Sequence, residues 1–246
     1  MPALNLDIDS YTAVKDYLLT FGKKLEQSGE PGCRKKTSNK WFEVQDPIAY
    51  FAEFTKKKIV WPETSLDNQL CLVGENILLD KTNFFIPSDN KYLLGLLNSS
   101  VAKFYLDTIV SKMRGGYFSM SKIYVEQLPI PKLPAASQIP YECLVDCTLF
   151  AQEKGLTSEA ATIEWVINVM AYGLYFEEEM KKADCYINEL VAKMVKPFKA
   201  DDSDQFKTEY VQKLSQFFLK DKGIYHGLVH SRNVKPVEII HGAMKK

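Results

Sequence analysis

The sequence lacks the glycine-rich phosphate loops and the nucleophile arrangements by which many enzymes are recognised. Its only glycine pair, Gly115-Gly116, does not follow a predicted strand and open a predicted helix, as a dinucleotide site requires. The three histidines give no Ser–His–Asp arrangement. We therefore expect neither a nucleotide-dependent enzyme nor a serine hydrolase.

Sites for methyl transfer and for metal ions are also missing. An adenine N6-methyltransferase would need a Gly-rich cofactor turn and an Asn/Asp-Pro-Pro-aromatic motif, and neither occurs. Residues 89–91 have half the spacing of a metal-dependent nuclease motif, but no suitably placed Pro-Asp pair precedes them, which favours a helix cap. His226 and His230 lie four residues apart, without an acidic or cysteine ligand at a convincing spacing. We predict no catalytic residue, no metal and no cofactor.

The chain has no net charge and no long apolar run. It carries 31 basic and 31 acidic residues, and a free-standing nucleic-acid binder usually has a basic surplus, although a local patch can bind without one. No apolar run approaches the roughly 20 residues that span a bilayer, and the first residues show no secretory signal. Five cysteines at irregular spacings are typical of reduced thiols. We expect a cytoplasmic protein without membrane contact.

The hydrophobic pattern predicts an α+β fold. Residues 1–135 are expected to form an α+β domain with a small sheet, and residues 136–246 a helical subdomain, with the proline-rich segment 128–134 as the boundary. Strands are predicted at 58–61 and 82–86, and a hairpin is predicted from 69–73 and 76–79 around Gly74-Glu75. Helices are predicted at 10–27, 90–105, 141–151, 157–174, 177–196 and 206–218.

Basic, aromatic and small polar residues are concentrated before residue 130. A lysine run at 56–58 lies beside Trp61, and further such residues surround the diglycine. Lysine and arginine contact phosphates, arginine and serine can recognise base edges, and glycines let the backbone approach closely. Composition alone favours a solvated charged face instead. The residues that we predict to contact DNA are Lys56, Lys57, Lys112, Arg114, Tyr117, Ser119 and Lys122.

A series of short motifs, in a fixed order, favours the DNA-binding interpretation. The motifs are 41–43 (WFE) with 46–48 (DPI), 58–63 (KIVWPE), 80–86 (DKTNFFI), 91–99 (KYLLGLLNS), 115–119 (GGYFS) and 124–131 (YVEQLPIP). Together they resemble the TaqI-like C-terminal specificity domain of type IIG restriction–modification enzymes and adenine-specific DNA methyltransferases. The Leu-Leu-Asn-Ser helix and its Leu-Pro-Ile-Pro exit are also similar to target-recognition domains of type I specificity subunits. Beyond these motifs, 167–179 (INVMAYGLYFEEE) and 234–240 (VKPVEII) resemble the helical tail of such enzymes.

This resemblance implies a division of labour. The chain would recognise double-stranded DNA in the major groove and position it for a separate adenine-methyltransferase or nuclease half, which would bind the cofactor. The chain itself would be a non-catalytic specificity fragment rather than an enzyme. The alternative is a helical protein–protein interaction module that braces a larger enzyme without contacting DNA bases.

Overall fold

The computed structural model describes residues 6–45 and 50–244 and divides the chain into two compact units, Met1–Lys56 and Lys57–Lys246. Each unit is described by itself. One stretch of the family motifs, 46–48, lies outside the described residues.

In its described residues, 6–45 and 50–56, the first unit contains one short α-helix, α1 (Thr12–Leu19), and 3₁₀ turns at Ile8–Ser10, Gly22–Leu25 and Phe51–Thr55. The predicted helix 10–27 was therefore too long. The helix ends because Gly22 takes a left-handed φ of 52°, which a helix cannot accommodate. The loop that follows is fixed by the Gln27 amide, which donates to the carbonyl oxygens of Lys40 and Glu43, each at 2.8 Å.

The second unit begins with a small antiparallel sheet. Its strands are β1 (Lys58–Pro62), β3 (Cys71–Val73) and β4 (Asn83–Ile86), in the order β3-β1-β4. A second, two-stranded sheet pairs β2 (Thr64–Ser65) with β5 (Phe118–Ser119).

The hairpin predicted around Gly74 was wrong. Strands β3 and β4 are both antiparallel to β1 and lie on opposite sides of it. The connection 74–82 therefore passes across β1 instead of turning back beside β3, and residues 76–79 form no strand. Asn76 turns the chain at the start of this connection with a φ of 58°.

Helices make up most of the rest of the second unit. They are α2 (Lys91–Leu97), α3 (Ser100–Ile109), α4 (Lys122–Val125), α5 (Ala135–Glu153), α6 (Thr157–Tyr175), α7 (Glu177–Lys182), α8 (Asn188–Ala192), α9 (Asp204–Lys220), α10 (Lys222–His230) and α11 (Lys235–Ala243). The predicted α+β fold class is confirmed. None of the helices in the described part of the chain is long and apolar enough to cross a membrane.

Two predicted helices are each divided into two. The helix predicted at 90–105 is interrupted between α2 and α3, where Ser99 caps α3 by accepting from the Ala102 N–H. The helix predicted at 177–196 is interrupted by Asp184, whose φ is 57°. Non-glycine residues seldom adopt this conformation, and sequence patterns do not reveal where it is imposed by packing.

The core of this unit lies between α5 and α6 and extends to α2 and the sheet. Leu144, Ile163, Leu96 and Ile59 are completely buried. The predicted division into an α+β domain of residues 1–135 and a helical subdomain of residues 136–246 stays a prediction.

Candidate nucleic-acid interface

The diglycine lies at the end of a short hairpin formed by residues 111–119. The Ser119 N–H donates to the Ser111 carbonyl at 3.1 Å, and the Met113 N–H donates to the Tyr117 carbonyl at 2.8 Å. A third bond, from the Gly116 N–H to the Met113 carbonyl at 3.1 Å, closes a β-turn. These bonds define a two-stranded ribbon, which we call the 111–119 hairpin.

The turn requires both glycines for conformational reasons. Gly115 is the third residue of the turn and has a φ of 87°, which is the value that a type II turn demands at this position. Gly116 has a φ of 80°, and a Cβ there would meet nothing within 4 Å. The glycines thus provide backbone geometry rather than space, and Arg114 becomes the second residue of the turn.

The base of the hairpin is firmly held. Strand β5 pairs with β2, so that Ser119 lies opposite Thr64 and Phe118 opposite Ser65. The buried Trp61 indole donates to the Met120 carbonyl at 2.6 Å, and the Met120 N–H donates to the Glu63 carbonyl at 2.7 Å. The exposed turn therefore stands on an ordered support.

The hairpin brings four of the seven predicted DNA-contacting residues together, namely Lys112, Arg114, Tyr117 and Ser119. A fifth, Lys122, begins α4 just after the hairpin. Arg114 is exposed at the turn, and its guanidinium has no hydrogen-bond or ion-pair partner among the described residues. Tyr117 is 41% exposed.

The two lysines near Arg114 are already paired with carboxylates. Lys112 lies 2.9 Å from Asp107 of α3, and Lys122 lies 3.5 Å from Glu126. Exposed ion pairs of this kind contribute only about 0–1 kcal/mol of stability, so a DNA phosphate can displace the carboxylate. The phosphate would bind such a lysine less strongly than it would bind an unpaired lysine, because the carboxylate pair must first be broken.

The lysine run 56–58 does not act as one basic patch. Lys58 is completely buried, and its ammonium donates to the Gly74 and Ile77 carbonyls, each at 3.2 Å. Lys56, in the first unit, holds the Glu53 carboxylate at 2.8 Å. Lys57 is exposed without a partner among the described residues, but it precedes β1 and so lies about 15 Å from the strand end that supports the hairpin.

Sequence reasoning missed Lys81 as a candidate contact. The Asp80 carboxylate accepts from the Thr82 hydroxyl at 2.6 Å and from the Asn83 amide at 2.8 Å, and these bonds hold the pKa of Asp80 below its ordinary value. This turn leaves Lys81 exposed. The Glu63 N–H donates to the Thr82 carbonyl at 2.7 Å, which places the turn at the same sheet end as the hairpin. The sequence pattern that could have revealed Lys81 is Asp-x-Thr-Asn, which is typical of an Asx-turn and exposes its second residue.

The other candidate groups show no catalytic arrangement. The His226 and His230 rings lie 4.5 Å apart on α10, and across residues 6–45 and 50–244 no three metal-binding side chains form a group. Burial raises the pKa of Cys143 to about 11 and that of Cys147 to about 12, which leaves both thiols protonated and unreactive near neutral pH.

Comparisons with known proteins agree with the motif order. Residues 7–130 match the TaqI-like C-terminal specificity domain family. The chain is also similar to the Type II methyltransferase M.PaeR7I of Pseudomonas aeruginosa, with 24% identity over 130 residues, which is 52% of this chain and 22% of that relative. The chain thus spans about a fifth of the length of the curated relative that it matches.

The family match ends at residue 130, so the similarity predicted for 167–179 and 234–240 stays a prediction. Before that point, the match includes β1, the Asp80 turn, the α2–α3 junction and the 111–119 hairpin. Because it covers more than half of the sequence, the chain belongs to the TaqI-like C-terminal specificity domain family.

Proposed function

We propose that this chain recognises a sequence in double-stranded DNA and positions the duplex for a separate adenine-methyltransferase or nuclease half. The observation that carries the proposal is the 111–119 hairpin, which presents the unpaired Arg114 on an ordered sheet end. Membership of a specificity-domain family supports it.

The dimensions of the hairpin favour the major groove. From the Ser111–Ser119 pair to the turn, the ribbon extends by three residues, or about 10 Å, and its strands are about 4.8 Å apart. The major groove is about 12 Å wide and about 8.5 Å deep, and it admits such a ribbon, whereas the minor groove is only about 6 Å wide. The turn can therefore reach the base edges before the sheet meets the backbone.

Phosphate contacts would come from lysines around the hairpin. Lys81 lies at the same sheet end and has no ion-pair partner among the described residues. Lys112 and Lys122 would exchange their carboxylates for phosphates, and Lys57 would contact the duplex further away. Such contacts give affinity and register, whereas base contacts give specificity.

The catalytic chemistry would belong to the other half. The chain spans 22% of its relative, a Type II methyltransferase, and we assign the cofactor and the reacting base to sequence that is not in this chain. In this proposal the chain is a non-catalytic part of a type II restriction–modification system.

A selection experiment tests the proposal directly. The 246-residue chain would be used at low salt to select bound duplexes from a random pool, followed by sequencing. We expect enrichment of a motif of a few base pairs. Binding without enrichment, or no binding, would overturn sequence recognition by this chain.

A second candidate function rests on exposed apolar groups in the helical part. Phe206 is 51% exposed, Tyr225 47% and Leu219 42%. These side chains suit a protein partner, and they favour the alternative in which the helices brace a larger enzyme without contacting DNA. The same selection separates the two functions, because a bracing module would enrich no motif.

A further inference from the structure

Among the base-recognising side chains of the 111–119 hairpin, Arg114 is exposed and has no hydrogen-bond or ion-pair partner among the described residues. The side chains of the hairpin are two serines, a lysine, a methionine, an arginine, a tyrosine and a phenylalanine, in addition to the two glycines. It has no asparagine or glutamine, which pair with adenine, and no aspartate or glutamate, which accept from cytosine. Phe118 is buried, and Lys112 is paired with Asp107. Arg114 is left as the group with the most hydrogen-bonding capacity at the turn.

The hydrogen-bond donors of the Arg114 guanidinium determine which base it can pair with. Arginine has five N–H donors in a planar fork and no acceptor. In the major groove, guanine offers two adjacent acceptors, O6 and N7, whereas adenine and cytosine each present an amino donor and thymine a methyl group. A free guanidinium therefore pairs with two acceptors only at guanine.

The hydrogen-bonded turn gives the backbone of Arg114 a defined position at the tip of the hairpin. Arg114 is the second residue of the turn that the Gly116–Met113 bond closes at 3.1 Å. The glycines that follow it carry no side chains to keep the turn away from the base pairs. On one side, Met113 lies with its sulfur 4.0 Å from the Thr64 hydroxyl. On the other side, the Tyr117 ring is the nearest group to the Gly115 Cβ position, at 3.4 Å.

We propose that Arg114 selects a guanine, through O6 and N7 in the major groove, at one fixed position of the recognised sequence. This inference rests on the proposed function, and it narrows the target to sequences that contain a G·C pair where the hairpin turn meets the groove.

The first test compares motifs selected by the unchanged chain, by Arg114→Ala and by Arg232→Ala. Arg232 is a matched control, since it is an exposed arginine in the Ser231–Asn233 turn of the helical part. We expect Arg114→Ala to lose a guanine at one position while the rest of the motif is kept, and Arg232→Ala to leave the motif unchanged. Affinity for the selected duplex should fall about 10- to 100-fold for Arg114→Ala.

The second test changes the base instead of the protein. Replacing the selected guanine by 7-deazaguanine removes the N7 acceptor, and we expect it to weaken binding by the unchanged chain but not by Arg114→Ala. Inosine keeps O6 and N7 and should bind nearly as well as guanine.

The outcomes separate this inference from the proposed function. A motif that keeps its guanine in Arg114→Ala, or equal sensitivity of both proteins to 7-deazaguanine, would overturn the guanine contact and leave sequence recognition standing. If the unchanged chain selects no motif, the proposed function itself fails. Because Arg114 is exposed and unpaired in the described structure, its replacement should leave the unfolding midpoint unchanged, which a urea titration checks.

Discussion

At the residue scale, the lysines differ in whether a carboxylate already pairs with their positive charge. Lys81 and Lys57 are exposed without an ion-pair partner among the described residues, whereas Lys112 lies 2.9 Å from Asp107 and Lys56 lies 2.8 Å from Glu53. A phosphate that binds an already paired lysine must first displace a carboxylate. The structure thus ranks the predicted contacts in a way that the sequence could not.

This ranking predicts different salt dependences. Lys57→Ala and Lys81→Ala should each weaken binding to all duplexes and reduce the slope of log affinity against log salt by about 1. Lys112→Ala should reduce that slope by less, because its charge is already partly neutralised. Binding titrations over a range of salt concentrations measure the slopes. A larger change for Lys112→Ala than for Lys81→Ala would contradict this ranking.

Two neighbouring lysines have opposite structural roles. Lys58 is completely buried, with its ammonium bonded to the Gly74 and Ile77 carbonyls, whereas Lys57 is exposed. We expect Lys58→Ala to lower the free energy of unfolding by about 2 kcal/mol or more, because it loses charged hydrogen bonds and leaves a cavity. Lys57→Ala should change it by less than about 0.5 kcal/mol. Urea unfolding of both variants makes the comparison, and equal stabilities would disprove the buried role of Lys58.

At the element scale, a pair of asparagines connects the α2–α3 junction to the sheet. The Asn98 side chain accepts from the Leu70 N–H at 2.9 Å and donates to the Leu70 carbonyl at 3.0 Å. The buried Asn68 amide donates to the Leu97 carbonyl at 2.7 Å and to the Ser99 carbonyl at 3.1 Å. The Leu-Leu-Asn-Ser motif therefore has a structural role, because its hydrogen bonds hold the segment before β3 against the helices.

Removing this connection should cost stability without changing any DNA-contacting side chain. Asn98→Ala loses its bonds to Leu70 and to the Leu94 carbonyl, so we expect a loss of about 2–3 kcal/mol at about 1 kcal/mol per bond. Asn233→Ala, at an exposed asparagine in the Ser231–Asn233 turn, is the control and should be nearly neutral. Thermal or urea unfolding gives both values.

The hairpin turn is the second element with a testable requirement. Gly116→Ala places a side chain at a φ of 80° without any clash, so its cost is backbone strain, on the order of 1–2 kcal/mol. We expect this variant to lose sequence preference because the turn no longer presents Arg114 correctly. Gly242→Ala in α11 also meets nothing within 4 Å, and without a positive φ it should stabilise the chain slightly. Competition between the selected duplex and random duplexes measures the preference. If Gly116→Ala keeps its full sequence preference, the conformation of the turn is not required for recognition.

At the scale of the whole molecule, several groups that lie in the core or pack against it ionise only at high pH. Burial raises the pKa of Cys143 to about 11, and those of Cys147, Tyr92 and Tyr175 to about 12. In the unfolded chain the thiols ionise near 9.0 and the phenols near 10.0. The folded state therefore favours the neutral forms.

This linkage predicts alkaline destabilisation with a defined onset. The contribution of these groups is fully present below pH 9 and is lost as pH rises from about 9 to about 12, at up to about 1.4 kcal/mol per pH unit for each group. Urea unfolding between pH 8 and pH 11 follows the decline. Cys147→Ala should make the decline between pH 9 and pH 10 shallower, and a stability that is constant up to pH 11 would contradict the burial of these groups.

Local sequence patterns were sufficient for elements whose signals are local. The strand predicted at 58–61 and the helices predicted at 157–174 and 206–218 agree closely with β1, α6 and α9, whose hydrophobic periodicity is clear. The helix predicted at 141–151 was too short, because α5 begins at Ala135 and continues through Pro140. The motif order identified the family, which the match over residues 7–130 confirms. Gly115-Gly116 indicated a turn because positive φ values favour glycine.

Only the tertiary structure decided which distant segments of the chain contact each other. The sequence alone determined the fold class, the family and the position of the turn. Hydrophobic periodicity and glycine geometry depend on a few neighbouring residues, and the order of the motifs is visible along the chain without knowledge of the fold. The path of 74–82 across β1, the burial of Lys58, the pairing of Lys112 with Asp107 and the placement of Lys81 beside the hairpin were decided by strand pairing and packing. These depend on which segments meet in space, and the same local pattern is compatible with many such arrangements.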